Sequence, residues 1–198
     1  MTTLTIIPRP TTLPACVEVT WEPTIQNLYC TIRYPEQQRA AREATPLRDL
    51  LDARWPVAQP RRMIVAGQLS ISLDAEERLH DLDIRTDLAA GTIQPLNFAA
   101  AGFVQPYAQA SFDDAGDAVC AAVEAALYDA EQGVACLSWG PAHHWCTVAP
   151  TLVLGLAADG ALMKILVSDL RLPAIKPGPK RAWERLFRKF GRTTDSDR

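Results

Sequence analysis

DDAGDAVCAAVEAALYDAEQ, residues 113–132, is the stretch on which the reading of this chain turns. Val119, Ala122, Val123, Ala126 and Leu127 recur at helical spacing. Asp113 or Asp114 stands where an N-cap is wanted, and Gly133 follows where a left-handed C-cap would close the helix. The stretch therefore predicts a helix from Asp113 to Gln132. An apolar strand, VACLSW, comes next, and after Gly140-Pro141 a second strand runs from His144 to Leu156. An Asp159-Gly160 turn, pairing Ala158 with Ala161, then leads into the strand ALMKILVSDL.

Upstream, the chain reads as β structure with helical insertions. LTIIP is a short apolar run. ACVEVTW alternates from Cys16 to Trp21, and LYCTIRY sets Tyr29, Thr31 and Arg33 against Leu28, Cys30, Ile32 and Tyr34. Pro23 separates the two strands and Pro35 ends the second. Glu36 to Trp55 is helical in composition, with a second helix expected at Pro46 behind a Thr45 cap. Met63 to Leu73 is β-rich, and Asp74 is placed to cap a helix beginning AEERLHDL. Gly91, Pro95, Gly102 and Pro106 punctuate residues 85–111, which read as irregular. The sequence shows no internal repeat. The expected fold is α+β, a largely antiparallel sheet packed with helices. Residues 1–172 form one α/β domain, and 173–198 hold a Pro-rich spacer, a basic amphipathic helix and a disordered end.

Composition bounds the function. A chain of 198 residues with 48% hydrophobic and 22% charged residues holds one sizeable core. No run approaches the ~20 apolar residues of an integral membrane segment. MTTLTIIPRPTTLP lacks the basic region of a secretion signal, so the expected compartment is the cytoplasm. Cys16, Cys30, Cys120, Cys136 and Cys146 are scattered, odd in number and without a CxxC pair, as expected of reduced thiols. The net charge of −3 is uneven: Lys176–Arg198 holds eight basic and three acidic residues, +5, which leaves −8 for the rest. Generic nucleic-acid binding by the acidic body is not expected, and the tail alone has the charge for such contact.

GPAHHWCTVAP, residues 140–150, concentrates the chemistry. The order of AVEAALYDAEQGVACLSWG, HHWCTV and LMKILVSDL resembles the C-terminal half of papain-like cysteine peptidases, in particular the C39-like group. The resemblance implies a papain-like architecture with His144 as general base and Asp169 as its orienting carboxylate. The nearest match to the nucleophile and its oxyanion-hole glutamine is Cys30 with Gln26, in IQNLYCTIRY, and Cys16 is the other candidate thiol. A metal is the rival use of this stretch. His144 and Cys146 share a strand face, with Cys136 on the preceding strand, but the paired spacings of structural zinc sites are absent. No metal ligand is assigned and no cofactor is expected. His80 and the carboxylates Asp81, Asp83 and Asp87 read as solvated surface, and no phosphate-cradling glycine loop or GxSxG elbow is present.

LPAIKPGPKRAWERLFRKFGR, residues 172–192, is the other functional signal. Three prolines make a spacer, and Trp183, Leu186, Phe187 and Phe190 then follow the i, i+3, i+4, i+7 pattern of one helix face. Arg181, Arg185, Arg188 and Lys189 fill much of the remainder. Such a helix either folds back on its own acidic body or docks on a partner. The sequence thus points to a pseudoenzyme, a non-catalytic adaptor that docks a protein or nucleoprotein partner through this helix. The alternative is a thiol hydrolase, peptidase or amidase, using Cys30, His144 and Asp169.

Overall fold

Residues 3–38, 62–85, 88–93 and 102–172 are described by the structure, a computed structural model. They form fourteen strands in two sheets, with a short helix (α1) at 35–38. The six-stranded sheet contains β2 (Cys16–Glu22), β3 (Asn27–Arg33), β4 (Met63–Ala66), β5 (Leu69–Leu73), β6 (Leu79–Arg85) and β9 (Asp117–Val119), in the order β2-β3-β6-β5-β4-β9. The eight-stranded sheet contains β1 (Thr5–Thr11), β7 (Ala89–Ala90), β8 (Phe103–Gln109), β10 (Ala125–Asp129), β11 (Val134–Ser138), β12 (His144–Ala149), β13 (Leu152–Leu156) and β14 (Leu162–Val167). Its order is β1-β8-β12-β13-β14-β11-β10-β7.

The expected α+β, papain-like architecture is therefore corrected to one that is nearly all-β among the described residues. The predicted helix at 113–132 is instead a turn, β9 and β10. Asp113 does cap, but it caps a turn: its Oδ1 accepts the N–H groups of Ala115 and Asp117, both at 2.9 Å. Gly116 completes the bend at φ 87. Ala125–Asp129 then pairs residue by residue with Ser138–Val134. Alanine favours helix over other residues by only a few tenths of a kcal/mol each, which a ladder and a buried Tyr128 override.

The predicted helix after Asp74 fails in the same way. Asp74 Oδ1 accepts from the Glu76 and Arg78 N–H groups, and the chain leaves that turn as β6. LHDLDIR fits a strand because Leu79, Leu82 and Ile84 bury while Arg85 stays in solvent. The span 85–111, expected to be irregular, holds β7 and β8. The helix expected over 36–55 begins as α1, where the Tyr34 N–H donates to Gln37 Oε1 and the Gln38 N–H to the Tyr34 carbonyl. Its remainder, the Thr45–Pro46 start and the helix of 180–190 lie outside the described residues.

The two sheets are built on one plan. β2-β3-β6-β5-β4 and β10-β11-β14-β13-β12 have the same order, and their connections match in length: 23–26 with 130–133, 67–68 with 150–151, 74–78 with 157–161. Gln26 (φ 50) and Gly133 (φ 64) hold the last place of the first turn, and Glu77 (φ 67) and Gly160 (φ 86) the fourth place of the last. A register shift precedes Leu73 opposite Leu79, and another precedes Leu156 opposite Leu162. Only the middle connection differs, spanning 34–62 in the first unit and 139–143 in the second. The chain is thus an internal duplication, which the sequence does not display.

The units exchange their leading segments. The N–H of Ala15, just before β2, donates to Val148 of the second unit, while the N–H of Cys120, upstream of β10, donates to Val65 of the first. Leading strands β1 and β8 pair antiparallel, with Ile6 opposite Ala108. Each also receives the turn of the opposite unit: Ile6 N–H to Gly160 O at 2.9 Å, and Ala108 N–H to Glu77 O at 2.8 Å. One continuous core joins both sheets, through Leu28, Cys30, Ile32, Leu69, Ile71 and Leu82 on one side and Val148, Leu152, Leu154, Leu156 and Ile165 on the other. Each such large aliphatic contributes roughly 1.5–3 kcal/mol. This burial is what locks the exchanged halves together.

Candidate functional site

GPAHHWC occupies the connection 139–143 and the start of β12. His143 and His144 are exposed, Cys146 is buried, and His144 lies opposite Leu156 on β13. Trp145 takes the outer side and lies over Gly155, where a Cβ would stand 2.8 Å from its ring. The turn register inferred from Asp159-Gly160 holds along β13 and β14, as in Gly155 opposite Lys164, and breaks only at the bulge beside Leu156.

The other members of the proposed hydrolase set are distributed over both sheets. Cys30 sits in the middle of β3, buried to 1%, in the six-stranded sheet, while His144 is in the eight-stranded one. Burial pushes the Cys30 thiol up to about 12, so it is neutral at ordinary pH. Gln26 is exposed in the 23–26 turn. Asp169 is exposed at φ 61, beyond the end of β14. Cys120, Cys136 and Cys146 are likewise pushed up by burial, the last two in the sheet that carries His144. Cys16, at the start of β2, is the exposed thiol among five free cysteines. Among the described residues there is no group of three or more His, Cys, Asp or Glu side chains able to hold a metal. Trp183, Leu186, Phe187, Phe190, Arg181, Arg185, Arg188 and Lys189 lie outside the described residues.

A polar centre that the sequence reading missed lies at the 74–78 turn. Arg78, its side chain 5% exposed, bonds Asp74 at 2.8 Å, Glu76 at 3.2 Å and also Glu36 at the start of α1. Its Cζ lies 4.1 Å from the centre of the Tyr34 ring, whose hydroxyl donates to the Leu79 carbonyl. Burial alone would lower the Arg78 pKa, but the bonds it donates to Asp74 and Glu36 outweigh that and raise it. Burial likewise favours neutral Glu36, yet its backbone bond and Arg78 hold its pKa down. This cluster ties the entrance of the 34–62 connection to the β5–β6 turn. The equivalent turn of the second unit has Ala157 and Ala161 in place of Asp74 and Arg78, and there the connection is short. The signal in the sequence is Asp74 four residues before Arg78, but Asp74 reads there as the cap of a helix.

His80 is also placed differently than expected. It lies on β6 with its Nδ1 3.2 Å from the Ile32 carbonyl oxygen, half-buried beside Asp81.

The outer faces of the two sheets differ in chemistry. In the first unit Glu18 pairs with Arg33 and Asp83 with Arg85, around an exposed Tyr29. In the second, Ile93, Cys136, Val153 and Leu166 form a small apolar cluster with Leu127, Val134 and Trp145. Asp129 organises its end, accepting N–H bonds from Ile93, Glu131 and Gln132. Those donors, Ile93 first, hold its carboxyl below the usual carboxylate range.

A scan against protein-family models finds no match to this chain, and a search of curated proteins finds none either. Among the described residues, no helix is long and apolar enough to cross a membrane.

Proposed function

We propose that the chain is a cytoplasmic, non-catalytic interaction protein that docks a protein or nucleoprotein partner through residues 180–190. One observation carries the reading. In the sequence, Trp183, Leu186, Phe187 and Phe190 keep the i, i+3, i+4, i+7 spacing of an apolar helix face, interleaved with Arg181, Arg185, Arg188 and Lys189 and preceded by prolines at 173, 177 and 179. Large aromatics beside arginine are the residue types that dominate docking energetics. The opposite charge of tail and body favours an acidic partner surface over a neutral one. Five free thiols, four of them in the interior, fit a reducing compartment.

The test compares the full chain, a chain ending at 175, and a Trp183→Ser/Phe187→Ser double variant as immobilised baits. A partner held by the full chain and lost from both altered baits is expected, with thermal unfolding of the body unchanged. A partner retained by the truncated bait would overturn the reading.

A further inference from the structure

The duplication exposes a difference between the two units at one sheet edge. In the second unit the outer edge of β10 is covered by β7, which runs parallel to it: Ala89 lies opposite Leu127, Ala90 opposite Tyr128, and the Gly91 N–H donates to the Tyr128 carbonyl at 3.1 Å. The strand equivalent to β10 in the first unit is β2, and among the described residues β2 is the end of its sheet.

Among the described residues nothing pairs with the outer edge of β2, and the sequence differs at the place that matches β7. β7 belongs to TDLAAGTI, residues 86–93, which follows β6. The segment that follows β14 in the same way is SDLRLPAI, residues 168–175. Leu88 and Leu170 are buried at matching places, 3% and 5% exposed. Arg171 and Leu172 then stand where Ala89 and Ala90 do, but they join no sheet. In the place of Gly91 is Pro173, which has no N–H to donate.

β2 is a regular seven-residue strand at the end of its sheet among the described residues, and its charged side chains are Glu18 and Glu22. It has no proline, no lysine and no bulge between Cys16 and Glu22. Its inner row, Val17, Val19 and Trp21, packs only partly against the core. Leu13, before the strand, and Ile25, after it, are 48% and 58% exposed. By equivalence with Tyr128, the N–H and C=O groups of Val17, Val19 and Trp21 point out of the sheet.

We propose that β2 pairs with β2 of a second copy of this chain, antiparallel about a two-fold axis at Val19, joining the two six-stranded sheets into one. The register follows from charge and shape. With Val19 opposite itself, Glu18 faces Thr20 of the second copy, Cys16 faces Glu22, and Val17 faces Trp21. The same register carries Leu13 towards the second copy's Ile25, so the exposed aliphatics at the two ends cover each other. Sliding the two-fold by one residue either way sets Glu18 against Glu18, or Glu18 against Glu22, and like charges directly opposite are unfavourable. A self-complementary edge of this kind is the isologous geometry of a two-fold dimer. It is independent of the tail and of the function proposed for it.

The test is the mass of the full chain in solution, by light scattering behind size exclusion over a hundredfold concentration range, with two substitutions at the exposed Thr20. A species of twice 21.7 kDa is expected. Thr20→Glu places a carboxylate opposite Glu18 twice per dimer and is expected to raise the dissociation constant about tenfold, and Thr20→Lys to lower it. Both should leave the urea unfolding midpoint of the monomer unchanged. A monomer at every concentration overturns the proposal. So does a dimer indifferent to both substitutions, which would mean that another surface joins the copies.

Discussion

Arg78 stands with its Cζ 4.1 Å above the Tyr34 ring while its guanidinium holds the carboxylate of Asp74, itself only 8% exposed on its side chain. Each of the two side chains makes the burial of the other tolerable. Removing one partner of a buried ion pair typically costs about 3–5 kcal/mol, because the remaining charge is left desolvated. Arg78→Met should lower unfolding free energy in urea by about that amount. A loss under about 1 kcal/mol would show that Asp74 finds another partner or water.

The matched turns predict opposite outcomes for glycine. At Gly133 an added Cβ would meet the Leu170 carbonyl oxygen at 2.7 Å, and its φ of 64 disfavours any side chain. Gly133→Ala should destabilise by about 2 kcal/mol or more. Gln26 holds the equivalent place at φ 50 and is exposed. Gln26→Gly should therefore stabilise, by about 0.5–1 kcal/mol, since relief of the left-handed strain exceeds the added freedom of the unfolded chain. Thermal unfolding of the pair checks both signs.

Asp129 sets an acid limit. Its carboxyl is held below the ordinary range in the folded state by the N–H groups of Ile93 and Gln132, so the unfolded chain binds the proton more readily. Its stabilisation is whole above the ordinary carboxylate pKa of ~4 and is lost as pH falls through the lower folded value. Asp129→Asn should be less stable than wild type at pH 7, with the gap closing towards pH 2. Unfolding curves that stay parallel over that range would disprove this role.

Cysteine reactivity separates the interior thiols from the surface one. With Cys30 near 12 against an ordinary thiol of 9.0, its thiolate fraction at neutral pH is about a thousandfold smaller. Alkylation read by mass spectrometry between pH 5 and 9 should label Cys16 first and Cys30 only on unfolding, and His144→Ala should change neither rate. A single cysteine reacting fast near pH 6, and slowed by His144→Ala, would instead reveal a thiolate–imidazolium pair and revive the hydrolase reading.

Much of the β structure was legible residue by residue. The alternation in CVEVTWE and NLYCTIR, with the proline punctuation between and after them, marks two strands because period-two burial leaves a direct imprint on sequence, while VACLS and ALMKILV are legible as short apolar runs bounded by turns. β10 was not, since Ala125 and Ala126 satisfy a helix as well as a strand and only the ladder to β11 decides between them. β6 was hidden by Asp74, a cap whose oxygens serve a turn as readily as a helix.

The candidate site divides the same way. The sequence named His144, Cys30, Gln26 and Asp169 by the company each keeps along the chain, but sheet membership is a property of long-range pairing, and it places Cys30 and His144 in different sheets. The duplication was equally out of reach. Its marks are matched connection lengths and left-handed turn positions filled by Gln26 and Gly133, or by Glu77 and Gly160, which share a backbone conformation and no side-chain chemistry. The sequence by itself determined which residues alternate and where the chain turns basic, because those depend on local pattern and composition, whereas Cys16, set in an apolar run, is exposed and Cys30 is buried. Only the tertiary structure decided that the halves repeat, that the segment leading each unit bonds to the other, and that β2 ends its sheet among the described residues, because hydrogen-bond pairing across distant segments carries no signature in either segment alone.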